Sequence, residues 1–134
     1  MGGTSGPAVL AGVPESTADP MSEDKQDVLQ VLQQYRQAFE RLDVKAAQAV
    51  WPSVNGRALE RAFRNLDGQE FHFAECKVLS VSGPRADAKC RGEATHREKI
   101  GNRVVHQPAQ EWTFSLSRHE NRWEIVRADR SANE

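Results

Sequence analysis

The sequence predicts an α+β fold in which about three helices precede a meander of antiparallel strands. Three observations predict it. Up to Leu66 the apolar residues recur at helical spacing, beyond Gly68 they recur at every second position, and short turn sequences separate the later stretches. The clearest strand is Glu111–Ser117, where Trp112, Phe114 and Leu116 share one face and alternate with polar residues.

Ser22-Glu23-Asp24-Lys25 supplies a capping hydroxyl and early acids where a helix begins. Val28, Leu32, Tyr35, Phe39 and Leu42 then follow at intervals of four and three, and Val31 and Ala38 widen the stripe. Asp43 is placed to cap a short second helix, Val44–Val50, which Trp51-Pro52 stops. Asn55 is placed to cap a third, Arg57–Leu66, with Leu59, Ala62, Phe63 and Leu66 at helical spacing and Asp67-Gly68 as its end.

Glu70–Val81 reads as one long strand with a break in phase. Phe71 and Phe73 keep one register while Ala74, Cys76 and Val78 keep the other, which a bulge near Ala74-Glu75 reconciles. Ser82-Gly83-Pro84 turns the chain into Arg85–Arg97, where Ala86, Ala88, Cys90, Gly92 and Ala94 make a small face opposite a charged one. Small residues there either let a helix sit close or leave a hollow. Gly101-Asn102 makes the next turn, and Arg103–Ser117 follows, with Pro108 implying an irregular or edge start. A turn at His119-Glu120-Asn121 leads to the last strand, Arg122–Arg127, and a polar tail.

The expected organisation is a linker-like leader over 1–21, a domain over 22–130 and a tail over 131–134. Gly, Pro, Ser, Thr and Ala dominate the leader, and through Asp24 it carries four acids and no base. Those acids leave 15 against 18 Lys+Arg in the rest, an excess too mild to attract nucleic acid or an anionic membrane. The Ala8–Val13 run is short for a signal core, and no run approaches the roughly 20 apolar residues of a membrane span. The reading is therefore no nucleic acid, no membrane insertion and a cytoplasmic location, in a chain that serves a larger or anchored parent protein.

The long first helix with Tyr35 and Phe39, the short helix ending in Val50-Trp51-Pro52, the helix Ala58–Leu66 and the finish Trp112–Leu116, turn, Trp123-Glu124-Ile125 resemble the NTF2-like (SnoaL-like) superfamily over about Asp24–Asp129. Within it the chain is most similar to bacterial stand-alone domains or to those attached to kinases through low-complexity linkers. The resemblance implies a cone: a strongly curved sheet wrapped around helices, with a pocket at the open end and often a homodimer through the outer sheet face. Members include isomerases, dehydratases and cyclases as well as non-catalytic binding domains, so fold alone does not select a function.

On that basis Tyr35, Phe39, Trp51, Phe63, His96, Trp112 and Phe114 are the expected lining of a pocket for a small apolar ligand. His96 continues the small inward face and is the best general-base candidate, although no acidic partner for it is evident. Asp87, Glu93, Glu111 and Glu124 fall in the outward register and read as surface. Arg57, Arg61 and Arg64 form a basic helix face without interleaved aromatics, a solvated surface rather than a nucleic-acid site. The cysteines and histidines lack metal-ligand spacing, and no cofactor is implied. A symmetric turn puts Cys76 opposite about position 91, near Cys90; two buried thiols in a reducing cytosol are preferred over a disulfide. The favoured function is a non-catalytic binding module, with a small enzyme or a homodimeric assembly domain as alternatives.

Overall fold

The computed structural model describes residues 20–132. The leader through Asp19, with its linker reading, lies outside the described residues, as do residues 133 and 134. Three helices, α1 (Pro20–Glu40), α2 (Val44–Val50) and α3 (Gly56–Arg64), precede four strands, β1 (Leu66–Ser82), β2 (Arg85–Glu98), β3 (Val104–His119) and β4 (Arg122–Ala132). The strands form one curved antiparallel sheet in sequence order, β1-β2-β3-β4.

Local chemistry explains most of the boundaries. Helix α1 begins at Pro20, ahead of the expected start at Ser22; a first turn has no partner for the N–H that proline lacks. Its end differs as well. Leu42, expected on the buried stripe, has a left-handed backbone (φ 55°) just past the helix, and the Asp43 N–H reaches back to the Ala38 carbonyl at 3.0 Å. The Asp43 carboxylate accepts from the Ala46 N–H and the Asn55 side chain from the Ala58 N–H, both at 3.0 Å, so both expected caps form.

Bulges bend the sheet. Ala74 is the extra residue between Phe73, opposite Gly92, and Glu75, opposite Arg91, where the break in alternation predicted it. A Cβ on Gly92 would lie 1.8 Å from the His72 carbonyl oxygen, so this close approach requires glycine. In β3 the irregularity at Pro108 is a bulge rather than an edge: Pro108 and Ala109 (φ 57°) stand opposite Glu93 alone.

A further bulge, at Leu79, went unseen in the sequence and corrects the cysteine reading. It shifts β1 by one residue, so Cys76 pairs with Cys90 rather than with position 91. The two Cα atoms are 4.0 Å apart and the sulfurs are joined in a disulfide, where two free thiols were expected.

Strand β4 also outruns its expected end at Arg127. It pairs with β3 through Trp112–Arg130, Glu111–Ser131 and Gln110–Ala132, so the first residues of the expected tail are sheet. The core lies between α1 and the concave face of the sheet. Val28, Val31, Leu32 and Tyr35 pack with Ala86, Ala88, Cys90, Phe114, Leu116 and Ile125. Glu40 Oε2 accepts from the Phe71 N–H at 3.1 Å, and Gln69 Nε2 donates to the Phe39 carbonyl at 2.9 Å, which ties the C-terminal end of α1 to the free edge of β1.

Candidate functional site

A cleft of about 650 Å³ opens where α1 ends, between the loop after α2, helix α3 and the final turns of β4. Aromatic rings build it. Tyr35 and Phe39 come from one side of α1 and lie 4.3 Å apart between ring centroids; Phe63 meets Phe39 edge-on at 5.3 Å; Phe71 and Trp112 face each other across the sheet at 5.2 Å. Trp51, from the loop after α2, completes the wall. Helix α3 buries Phe63 while Leu59 is partly exposed, so this wall is lightly seated.

Charge enters from β4. Arg130 is the register partner of Trp112, and its guanidinium lies 5.4 Å from the Phe71 centroid and 6.0 Å from that of Trp112. Nη2 donates to Gln107 Oε1 at 3.3 Å. The other charged residues of the lining, Arg127 and Asp129, pair with each other at 2.8 Å. Two polar groups sit among the rings. Burial pushes the Tyr35 phenol well above its usual value, and the positive charge of Arg130 opposes this only in part, so the hydroxyl stays protonated. The Trp112 Nε1–H is buried without an acceptor among the described residues.

Five of the seven sequence-predicted residues, Tyr35, Phe39, Trp51, Phe63 and Trp112, line this cleft together. Phe114 does not. It is buried behind Tyr35, in edge contact at 5.1 Å, as part of the core. His96 also stands elsewhere, in a shallow depression beside Asp67–Glu70 and Val104. Its Nε2 lies 3.9 Å from Glu98 Oε2, an acidic neighbour the sequence reading lacked. The outward acids have surface partners: Glu111 with Lys89 at 3.3 Å, Glu93 with His106 at 2.6 Å and Glu124 with Arg122 at 3.0 Å, while Asp87 accepts from Ser80 and Ser115. Arg57, Arg61 and Arg64 are solvent-exposed. Sequence reasoning missed Arg130, which it had left beside the tail. Alternation could not have found it, because the bulge at Val126 moves the inward phase from Trp123 and Ile125 to Ala128 and Arg130.

A second groove, of about 550 Å³, runs along the water-facing flank of α1 and is lined by Gln30, Gln34, Gln37, Arg41 and Arg122 among others. It has no aromatic wall beyond Trp123, and the apolar cleft is the better candidate site.

Solved structures share this architecture. One is an NTF2-like superfamily protein from Salmonella enterica (TM-score 0.77, 11% identity, covering 85% of this chain and 94% of that one). Another is a ketosteroid isomerase-like protein from Erwinia carotovora atroseptica (TM-score 0.64, 21% identity, 81% and 95%). A third is a hexachlorocyclohexane dehydrochlorinase from Novosphingobium barchaimii (TM-score 0.66, 7% identity, 81% and 86%). No family model and no curated protein sequence matches the chain. Over the described residues the chain has the fold of the NTF2-like proteins, an α+β cone of three helices and a four-stranded curved sheet. At these identities the likeness is one of fold, and the proteins that share it include an enzyme, the dehydrochlorinase.

Proposed function

We propose that the chain is a non-catalytic NTF2-like module that binds a small apolar ligand in the aromatic cleft, as an accessory domain of a larger bacterial protein. One observation carries this reading: the cleft offers ring faces and a guanidinium but, among the described residues, no imidazole, and its one carboxylate, Asp129, is tied to Arg127. An isomerase or dehydratase needs a positioned group to take a proton from its substrate. The enzyme alternative draws its support from the fold, which the dehydrochlorinase and the isomerase-like protein share. Native mass spectrometry of the purified chain, followed by incubation of any ligand it retains, separates the two. A retained apolar molecule recovered unchanged supports the module; steady conversion of it overturns that reading in favour of the enzyme.

The bond between Cys76 and Cys90 bears on the compartment. No helix among the described residues is long and apolar enough to cross a membrane. A disulfide persists in an oxidising compartment, which supports an extracytoplasmic site over the cytoplasmic one expected from the sequence. Thiol alkylation in freshly lysed, unreduced cells should leave both cysteines unmodified; two alkylated thiols would restore the cytoplasmic reading. Homodimerisation through the outer sheet face remains part of the proposal, and light scattering should then give about twice the 15.0 kDa chain mass.

A further inference from the structure

The aromatic cleft carries one cation whose arrangement narrows the ligand class. Arg130 lies at cation–π distance over the rings of Phe71 and Trp112, which leaves its N–H edge to other partners. One hydrogen bond, to the neutral Gln107, uses part of that edge. Among the described residues no carboxylate forms an ion pair with Arg130, whereas Arg127, Arg91, Arg118 and Arg122 each have one. Within the lining Asp129 cancels Arg127, so the mouth of the cleft holds a net single positive charge beside an apolar body. The buried Trp112 Nε1–H independently lacks an acceptor on the wall of the same cleft.

Resting on the binding reading above, we propose that the ligand is a small planar monocarboxylate, its apolar body among Tyr35, Phe39 and Phe63 and its carboxylate on the free edge of Arg130. A guanidinium donates two parallel N–H bonds to a carboxylate, stronger than those to a neutral group of the same shape. One cation and an apolar wall match a monoanion. They do not match a phosphate, which carries more charge than Arg130 can balance, nor a fully neutral ligand, which leaves the guanidinium edge unused.

The test is calorimetric titration of the whole chain with 2-naphthoate and with 2-naphthamide, which share shape and differ in charge. The acid should bind about tenfold or more tighter than the amide at low salt. That preference should shrink as salt rises from about 20 to about 500 mM, because the guanidinium is exposed and screened. Arg130→Gln should abolish the preference while keeping amide affinity within about threefold, since the apolar wall is intact. Should that variant unfold, Arg130→Lys, which keeps the charge and loses the fork, should lower the preference without reversing it. Equal affinities in the native chain overturn the carboxylate inference and leave the apolar-cleft reading standing. A preference that survives Arg130→Gln assigns the anion to another group and also overturns it. If neither probe binds, both readings fall.

Discussion

The two ends of the cone share β3 and β4 and behave differently. At the closed end Ala86, Ala88, Leu116 and Ile125 meet Val28 and Leu32 of α1, all between 0 and 3% exposed. At the open end Phe71 meets Tyr35 and Phe39 and packs on Trp112, and Arg130 lies over the Phe71 and Trp112 rings. Alanines and a cysteine let a helix descend onto the sheet until the gap is filled. Bulky rings facing bulky rings hold the elements apart, and α3 reaches the gap with little more than Phe63. The small face of β2 therefore makes the dry core, and the cleft forms where side chains are largest.

Gly92 lies between the sheet rows of Trp112 and Phe71 and gives the largest expected effect. Gly92→Val places carbon against the His72 carbonyl and the Ala74 N–H at the bulge. The loss should exceed the roughly 1–3 kcal/mol of ordinary overpacking, read by urea denaturation. A variant of near-native stability would show that the bulge is free to move. The closed-to-open contrast is then tested directly. Leu32→Ala, at 0% exposure, should cost about 2–5 kcal/mol. Leu59→Ala, on the lightly seated wall of α3, should cost about 0.5 kcal/mol or less. Similar costs at both sites would mean that the cleft is closed over in solution.

The disulfide ties β1 to β2 in the register row of Trp112. It closes a loop across a sequence separation of 14, for which chain entropy predicts about 3 kcal/mol. Reduction, or replacement of both cysteines by alanine, should lower stability by that order while leaving ligand affinity unchanged, since neither cysteine lines the cleft. Lost affinity on reduction would instead couple the bond to the site.

What the sequence made legible follows from what periodicity reports. Alternation and helical spacing report burial, so the core strands, the α1 stripe and five ring positions of the cleft were readable, and the phase break at Ala74 located one bulge. The bulge at Leu79 was masked: Val78 and Val81 pack on the core three residues apart, but the exposed apolar Leu79 between them blurs the change of phase, and without it the cysteines fall one residue out of register. The end of β4 was invisible for the opposite reason. Ala128–Ala132 pairs fully with β3, but one side faces water and the other the open cleft, so nothing apolar marks it. Arg130 was lost with that segment. His96 continued the inward alternation in the sequence, but it lies beyond the bulge pairing Glu93 with Pro108 and Ala109, and the cleft is lined by its register partner Gln69 instead.

The smallest effect separates the inside of the cone from its outside by pH. On the outer face Arg91 donates to Glu75 at 2.7 Å, and this bond, with the charge of nearby Lys77, holds the Glu75 carboxyl below its usual value. A depressed carboxyl contributes stability above its unfolded-state value, and that contribution is lost as pH falls through the lower folded-state value. The stability difference between the native chain and Arg91→Gln should therefore be constant near neutrality and shrink towards zero as pH falls below the ordinary carboxylate range. Its size is that of an exposed, salt-screened pair, so the measurement needs low salt and paired denaturation curves. At the open end, by contrast, the Tyr35 phenol keeps its proton over that range. A difference that stays flat into acid would mean that Glu75 and Arg91 do not hold each other in solution.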